Sequence, residues 1–396
     1  MVELADADDA AALVRYARRA GVSLSVQPNG HGASDGLEGV ILVRTSKLDE
    51  VRVDPAARTA RVGAGVAWGR VLAEAGPHGL TGLAGSSAVV NVTGFSLGGG
   101  LSWFGRKYGW AADSVTAFDI VDADGHPGRV TATSDPDLFW AMRGGGGDFA
   151  LVTAVEFDLH PAPAVFGGTM VWPGPLAPAV MTAFREVTAN APDELTVWFQ
   201  QFQPPGSPTV LTSVMVAYLG DEASGRALLS RFDSIPGRFQ DTRRMVAIAD
   251  LGEIASEPTD PSPEMFASEL LTGIDDHTAE ALLQPIAPLL AIEIRHLGGA
   301  FAQGSDSAAG QLTAPYCLIA IGMVTTPESK AAIQARRQQY RDALRPVLAD
   351  RAPFTFLTPG DTAARAFPPA TLTRLRAIKH SHDPHAVIRA NYPVLA

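Results

Sequence analysis

Glycine is concentrated in three short stretches of this 396-residue sequence. The longest runs from Gly85 to Gly109 and reads GSSAVVNVTGFSLGGGLSWFGRKYG; QPNGHG precedes it at residues 27–32, and RGGGGDF follows at residues 143–149. Because glycine has no side chain, it lets a main chain bend sharply or lie directly against a ligand. Three such turns predict main-chain contacts that wrap one extended, phosphate-bearing cofactor.

A histidine lies inside the first of these turns. His31 stands between Gly30 and Gly32 at the end of a predicted strand, so the turn presents main-chain N–H groups and an imidazole to a ligand. The histidines of residues 380–385 lie at the end of a predicted helix, where solvated surface is the simpler interpretation. The single cysteine, Cys317, occupies an apolar run and predicts an inert buried thiol, with neither a disulfide nor a cysteine-based zinc site. We expect no bound metal.

The central stretch also contains a pattern of a different enzyme class. Residues 94–98, GFSLG, match the nucleophile elbow of serine hydrolases, with Ser96 as the nucleophile. The serine of an elbow opens a helix, whereas Gly98 to Gly100 follow here, and glycine costs about 1 kcal/mol per helical residue. A hydrolase using Ser96 stays an alternative, which loss of ester turnover in Ser96→Ala would reveal. Neither a dinucleotide fingerprint nor a phosphate loop occurs between a strand and a helix.

The elements around the glycine stretches predict a mixed N-terminal part. A helix from about residue 6 to residue 20 leads into a strand that ends at the first turn. Hairpins are predicted at residues 54–57 and 124–125. Pro161 and Pro163 then mark a domain boundary.

The following residues, to about 359, alternate long strands with helices of roughly ten to twenty residues. This pattern predicts an antiparallel sheet with helices on one face. The predicted strands are 195–203, 210–219, 290–297 and 316–324, and the predicted helices are 178–191, 222–232, 278–289 and 327–348. Residues 241–263 fit neither pattern. The last part, from about residue 369, predicts a helix followed by a short extended tail.

Composition narrows the class of partner. Hydrophobic residues make up 46% and charged residues 18% of the chain, which is typical of globular proteins. The formal net charge of −11 argues against binding to nucleic acid or an anionic membrane, because both need a basic surface. We therefore expect a small-molecule partner. No secretory signal and no apolar run near the roughly 18 residues of a membrane span are found, so we expect a cytoplasmic protein. Nothing in the sequence indicates an oligomeric state.

The three motifs occur in a familiar order. QPNGHG, then GLAGSSAVVNVTGFSLGGGLSWFGRKYG, then DPDLFWAMRGGGGDFALVTAVEFDLHP resembles the FAD-binding oxidoreductases of the vanillyl-alcohol-oxidase fold, in particular the berberine-bridge-enzyme-like branch. The resemblance implies an α+β fold: a two-part PCMH-type FAD-binding domain with an inserted substrate domain, whose antiparallel sheet is covered by helices and roofs the flavin. The implied domains are residues 1–162, split near 62, residues 163–362, and a C-terminal segment 363–396 that returns to the FAD domain.

The resemblance also assigns residues to the cofactor. In that family the histidine of the first turn is bonded covalently to the flavin, and here this residue is His31. The first turn and the central stretch would lie along the pyrophosphate, ribityl chain and ring, and the third turn would line the adenine end. The implied FAD contacts are Pro28, Asn29, Gly30, His31, Gly32, Gly85, Ser86, Ser87, Val92, Gly94, Gly98, Gly99, Tyr108, Gly147, Asp148, Phe149, Val152 and Asn391.

Two positions in the central stretch refine this picture. Some relatives carry a second covalent link through a cysteine, and Ser87 stands at that position, so we predict a single link through His31. Val90 resembles the small valine of oxygen-reactive members and favours an oxidase over a dehydrogenase. The sequence also begins without the N-terminal arm that such proteins usually have. Either a truncation or a natural variant would explain this difference.

The residue that accepts the substrate proton is harder to assign. A tyrosine motif that serves as base in many relatives is replaced by AFPPATL at residues 366–372. Our candidates are Glu293, Tyr392, His296 and Tyr316, in that order. Glu293 shares a strand face with Arg295, an arrangement that fits either an ion pair or polar residues facing a substrate.

The expected function is an FAD-dependent oxidoreductase. We expect an oxidase that abstracts hydride from a C–H bond next to oxygen or nitrogen in a sugar, alcohol or secondary metabolite, with molecular oxygen as the acceptor. A flavin-binding protein with a non-redox role, in cyclisation or ligand binding, is a second alternative besides the hydrolase. A flavin that no substrate reduces would support it.

Overall fold

The computed structural model describes residues 1–30, 32, 37–204, 207–260 and 262–395. The strands are β1 (Val2–Glu3), β2 (Leu24–Val26), β3 (Ile41–Arg44), β4 (Val51–Asp54), β5 (Thr59–Gly63), β6 (Leu80–Thr81), β7 (Val115–Val121), β8 (Pro127–Val130), β9 (Leu151–Asp158), β10 (His160–Pro161), β11 (Val165–Pro173), β12 (Leu195–Phe202), β13 (Leu211–Leu219), β14 (Gln240–Asp241), β15 (Arg244–Met245), β16 (Glu264–Leu271), β17 (Ala291–His296) and β18 (Tyr316–Met323). The α-helices are α1 (Ala7–Ala20), α2 (Trp68–Ala75), α3 (Val92–Leu97), α4 (Gly105–Tyr108), α5 (Pro136–Met142), α6 (Ala177–Ala189), α7 (Glu222–Leu228), α8 (Ser230–Asp233), α9 (Asp276–Leu282), α10 (Pro327–Leu344) and α11 (Pro369–His382).

The first helix delivers the chain to the first glycine turn. Asp6 caps α1 by accepting a hydrogen bond from the Asp9 N–H, and Gly21 ends the helix in the left-handed conformation, with φ of +65°. The buried face of α1 includes Val14 and Ala17. Strand β2 then pairs in parallel with β3, which in turn pairs with β1. The main chain leaves this small sheet at residue 27, where the turn begins.

The N-terminal part contains a second, antiparallel sheet in the order β4-β5-β9-β7-β8. Its two hairpins lie where turn residues predicted them, between β4 and β5 and between β7 and β8. Large apolar side chains such as Trp68, Phe118 and Phe157 are buried against it. The mixed α+β class predicted from the sequence is confirmed.

The second large sheet is antiparallel, in the order β14-β11-β13-β12-β17-β18-β16, with β15 also paired to β11. Because side chains alternate between the two faces of a strand, one face carries Phe199 and Ile294 into a core formed with α6, α9 and α10. The other face carries Trp198 and Met215 into the core of the N-terminal part. The helices therefore cover one face, as predicted, and the sheet's other face meets the glycine-rich segments.

Several elements differ from the sequence-based prediction. Strand β11 was not predicted, and the predicted helix 222–232 is divided into α7 and α8. Strand β16 was missed, because residues 241–263 are polar and contain several prolines that mask its start. Helix α9 ends at Leu282, seven residues early, and Pro285 follows. The central glycine stretch contains the short helix α3, which Asn91 caps by accepting from the Gly94 N–H at 2.9 Å. The domain boundaries near residues 62, 162 and 362 stay predictions.

Within the described ranges, no helix is both long and apolar enough to cross a membrane.

Candidate functional site

A cleft of about 270 Å³ lies between the glycine-rich segments and the open face of the large sheet. One wall is formed by the first turn, the central stretch, the third turn and the C-terminal tail. The opposite wall comes from the sheet, from the segment that precedes β16 and from the loop that precedes α11. The lining includes Val26–Gly30, Gly32, Gly85–Ser87, Val90, Asn91, Thr93–Phe95, Gly146, Gly147 and Ala390–Tyr392 on the first wall, and Glu257, Phe266, Arg295 and Phe354–Leu357 on the second.

The structure brings most of the predicted cofactor contacts to this cleft. The predicted residues that line it are Pro28, Asn29, Gly30, Gly32, Gly85, Ser86, Ser87, Gly94, Gly98, Gly147, Val152 and Asn391. His31 lies outside the described residues. Val90 also lines the cleft. Four segments that are far apart in sequence thus form one wall of the cleft.

Three predicted contacts lie in the interior instead, for packing reasons. Val92 and Phe149 are fully buried in the apolar core behind the cleft wall. Gly99 has φ of +99° and lies against Trp110, so its backbone conformation explains the glycine without a ligand. We therefore remove these residues from the candidate contacts.

Tyr108 is also placed away from the cleft lining. Its ring stacks on His160 at a centroid distance of 4.2 Å, and its hydroxyl donates to the Pro161 carbonyl at 2.9 Å. Burial raises the pKa of Tyr108. The residue joins α4 to β10 rather than facing a cofactor.

Asp148 supports the cleft from behind. Its carboxylate is buried, at 1% exposure, and accepts hydrogen bonds from the main-chain N–H groups of Ala390 and Val394 at 2.9 and 3.0 Å. Those two bonds flank Asn391 and Tyr392, which line the cleft. Asp148 therefore orders the C-terminal tail, and its role at the adenine end stays a prediction.

The glycine-rich wall has the room that a bound cofactor needs. A Cβ atom added to Gly94 or Gly147 would meet no protein atom nearer than 3.7 Å, whereas one added to Gly145 would lie 2.2 Å from a carbonyl oxygen. Packing therefore requires Gly145 but leaves open space over Gly94 and Gly147. The buried hydroxyl of Thr93 lines the same wall and has no hydrogen-bond partner among the described residues. These features fit a phosphate-bearing group lying on the main chain.

The opposite wall carries a buried ion pair. Arg295 donates from Nε to Glu293 Oε1 at 2.5 Å, and its guanidinium lies over the Trp198 ring at 3.9 Å. Burial raises the pKa of Glu293, and the adjacent Arg295 charge opposes that rise. Arg295 lines the cleft, and Glu293 lies behind it. The carboxylate of Glu257, on the same wall, lies 4.0 Å from Arg295 Nη2.

His296 and Tyr316 lie on the other face of the sheet. His296 Nε2 is 3.0 Å from Arg106 Nη1, and Tyr316 shares a hydrogen bond of 2.8 Å with the Thr188 hydroxyl. Tyr316 belongs to the helix-covered core, and β17 alternation puts His296 on that same side. We therefore drop both residues from the candidate bases.

Tyr392, the remaining candidate for the base, lies in the C-terminal tail. Tyr392 lines the cleft, and its hydroxyl donates to the Leu357 carbonyl at 2.9 Å. Its neighbour Asn391 accepts from Gln27 Nε2 at 2.8 Å, which joins the tail to the first turn. Of the four predicted bases, Tyr392 reaches the cleft directly and Glu293 reaches it through Arg295.

Sequence reasoning missed the rest of the second wall. Glu257 lies in a segment without a recognisable pattern, and Phe266 lies in the unpredicted strand β16. Residues 354–357 form part of a loop with no motif. No local signal marks these positions, because the sheet and the loop bring them to the cleft from distant parts of the chain.

The placement of Ser96 does not suit a serine hydrolase. Ser96 lies in the last turn of α3 and is 2% exposed, whereas the nucleophile of an elbow is exposed between a strand and a helix. Its neighbours Phe95 and Leu97 line the cleft, and Ser96 does not.

Known protein sequences match part of the chain. A family model described as FAD binding domain matches residues 1–131. An FAD-dependent monooxygenase of Fusarium proliferatum is 36% identical over 199 residues, covering 49% of this chain and 38% of that protein. The (R)-6-hydroxynicotine oxidase of Paenarthrobacter nicotinovorans is 35% identical over 172 residues, covering 42% of this chain and 37% of that protein. The matched region thus spans less than two fifths of the length of these relatives.

Solved structures match almost the whole chain. The 6-hydroxy-D-nicotine oxidase of Arthrobacter nicotinovorans superposes with a TM-score of 0.83 at 22% identity, covering 98% of this chain and 90% of that one. A BBE-like protein of Physcomitrella patens superposes with a TM-score of 0.87 at 20% identity, covering 99% and 90%. At these identities the likeness concerns the fold alone. Residues 1–131 therefore match an FAD-binding domain, and the chain as a whole has the fold of these solved oxidase and BBE-like structures.

Proposed function

We propose that the protein is an FAD-dependent oxidase of a small organic molecule, with the flavin linked covalently through His31 alone. The observation that carries this proposal is the cleft itself, whose glycine-rich wall leaves room for a cofactor and whose other wall presents Arg295 and Glu257. When bound, FAD would accept a hydride from a substrate carbon and pass the electrons to oxygen. The protein residues then orient the substrate and accept its hydroxyl or amine proton.

Glu257 is our first candidate for the proton acceptor. Of the described residues that line the cleft, it is the one carboxylate, and its side chain keeps 36% of its exposure. Tyr392 also lines the cleft, but its hydroxyl is already bonded to a carbonyl. Glu293 is paired to Arg295 behind the wall, where it can hold the guanidinium in place.

Three conservative variants separate these roles. Glu257→Gln should lower kcat by about 100-fold or more, because a positioned base contributes that much to a proton transfer. Tyr392→Phe should change kcat less, and Glu293→Gln should act mainly on KM by releasing Arg295. Rapid-mixing measurement of flavin reduction gives the chemical step for each variant. Normal reduction in Glu257→Gln together with a large loss in Tyr392→Phe would reverse the assignment.

The covalent link has a direct test. The purified protein should be yellow when FAD is supplied, and the colour should stay with the polypeptide after acid precipitation. His31→Ala should release the colour under the same treatment, and Ser87→Ala should not, since we propose no second link at Ser87. A wild-type protein that stays colourless with FAD present would refute the proposed function.

Oxygen as the electron acceptor needs its own measurement. Val90 lines the cleft, which supports access of a small molecule to the cofactor. Turnover in air should consume oxygen and release one peroxide per substrate oxidised. Turnover with an artificial acceptor but without peroxide would make the protein a dehydrogenase.

A further inference from the structure

The guanidinium of Arg295 is only partly bonded within the protein. Its Nε donates to Glu293, and neither terminal amino group has a hydrogen-bond acceptor in the described part of the chain. The nearest other acid, Glu257, lies 4.0 Å from Nη2, beyond hydrogen-bond distance. Arg295 is nevertheless almost fully buried, and it lines the cleft. The two terminal amino groups are not fully buried, because Arg295 lines the open cleft, where a ligand or water can accept hydrogen bonds from them.

The position of this guanidinium is fixed by its surroundings. It lies over the Trp198 ring at 3.9 Å, and Trp198 stacks on Trp103 at 3.7 Å. The Phe356 ring lies 5.2 Å away, and the bond to Glu293 holds Nε. A side chain that is already immobilised loses little entropy when it binds a ligand. Arg295 is therefore preorganised at the cleft wall.

The charges and shape of this wall select the ligand. Among the described residues that line the cleft, Arg295 is the one cation. Its planar fork of donors matches the two oxygens of a carboxylate better than an ammonium group would. The wall beside it is apolar, with the aromatic rings of Phe266 and Phe356. Glu257 is more exposed than Arg295, so water weakens its repulsion of an anion.

We infer that Arg295 binds an anionic oxygen of the substrate, and that the substrate is a small molecule carrying a carboxylate or similar oxyanion next to a ring or other apolar group. This inference rests on the proposed function, because it names the substrate class of the same cleft. Glu257, whose carboxylate lies 4.0 Å from Arg295 Nη2, would then be next to the bound substrate.

Three probes that share one ring test the inference: benzoate, benzyl alcohol and benzylamine. Each is titrated into the FAD-loaded protein, with binding followed by flavin difference spectra and by calorimetry. Wild type should bind benzoate about 10- to 100-fold more tightly than benzyl alcohol, the ratio expected for a charged hydrogen bond. Arg295→Met should abolish this preference, and Arg295→Lys should keep part of it, because it retains the charge without the fork. Arg341→Met is the matched control, since Arg341 pairs with Glu269 outside the cleft lining.

Other outcomes are equally informative. Tighter binding of benzylamine than of benzoate would show that Glu257 sets the selectivity and would overturn the inference. Loss of FAD from Arg295→Met and Arg295→Lys, with the benzoate preference intact, would make Arg295 a cofactor ligand and would also overturn it. If Arg295→Met fails to fold, Arg295→Lys tests the inference instead. Its preference for benzoate over benzyl alcohol should be smaller than that of wild type, and an unchanged preference would overturn the inference. A wild-type protein that binds no FAD refutes the proposed function, and calorimetry with benzoate still tests Arg295.

Discussion

Arg295 and His296 are neighbours in sequence with opposite surroundings. Both are buried, but the two-residue period of β17 directs Arg295 to the cleft and His296 to the helix-covered face. Burial, and the adjacent Arg106 charge, lower the pKa of His296 to about 3. A histidine so far from its ordinary pKa is a weak proton acceptor at neutral pH. Residue type alone therefore makes His296 a better candidate for the proton acceptor than its position allows, because its side chain lies on the strand face away from the cleft.

The low pKa of His296 predicts how stability depends on pH. Below the ordinary histidine pKa of 6.5 the unfolded chain binds a proton at this position, whereas the folded chain does not bind it until about pH 3. The free energy of unfolding should therefore fall as the pH is lowered through that window, by up to about 1.4 kcal/mol per pH unit from this group. His296→Gln should reduce that slope, as measured by urea unfolding at a series of pH values.

The surface histidine His126 gives the control for this measurement. Its side chain is 74% exposed, so His126→Gln should leave the slope unchanged. His160, whose pKa burial lowers to about 4, remains in both variants and keeps part of the slope. Equal slopes in wild type and His296→Gln would contradict a neutral buried His296.

At the scale of elements, a buried cluster fixes the C-terminal tail to the third glycine turn. Lys379, in α11, donates to Asp383 Oδ2 at 2.7 Å and to the main-chain carbonyls of Asp148 and Ile388. Asp383 accepts from the Val387 and Ile388 N–H groups. The buried donors and acceptors of this cluster bond to one another, so removing one of them leaves a buried polar partner without its hydrogen bond. The cluster therefore determines where the tail reaches the cleft.

Removing the cation of this cluster should be strongly destabilising. Lys379→Met leaves the Asp383 carboxylate buried beside main-chain carbonyls, and breaking a buried pair in this way costs about 3–5 kcal/mol. Chemical unfolding measures the loss. Arg374→Gln is the control on the same helix, because its ion pair with Asp137 is half exposed and is worth about 1 kcal/mol at most. Similar small losses in both variants would show that the buried pair does not hold the tail.

Sequence patterns predicted the elements with strong local signals. The glycine turns, the hairpins and the alternating strands follow from residue types a few positions apart, and these were largely placed correctly. The role of Asp148 was not predictable in this way. The N–H groups that donate to its carboxylate belong to Ala390 and Val394, which lie more than 240 residues away in the sequence. Glu257 was missed for the same reason: only the folded sheet brings it to Arg295.

At the scale of the whole molecule, the two cleft walls are joined by a shared core. Residues of the five-stranded sheet, such as Val155, and of the large sheet, such as Trp198, belong to one buried apolar cluster. Arg106 adds a polar link, because it extends from α4 to the carbonyls of Leu195 and Ala191 at 2.9 and 3.1 Å. A cofactor in the cleft would contact both walls and so would add to the stability of the folded state.

The covalent link proposed for His31 therefore predicts two kinds of thermal stability. In His31→Ala the cofactor binds reversibly, so added FAD should stabilise the fold by mass action, by about 2.7 kcal/mol at a hundred times its Kd. In fully loaded wild type the cofactor is part of the chain, and further FAD should leave Tm unchanged. Thermal unfolding at increasing FAD concentration distinguishes the two, with His78→Ala as an exposed-histidine control that should behave like wild type. A wild-type Tm that rises with FAD as steeply as that of His31→Ala would refute the link, while leaving the cleft as the binding site.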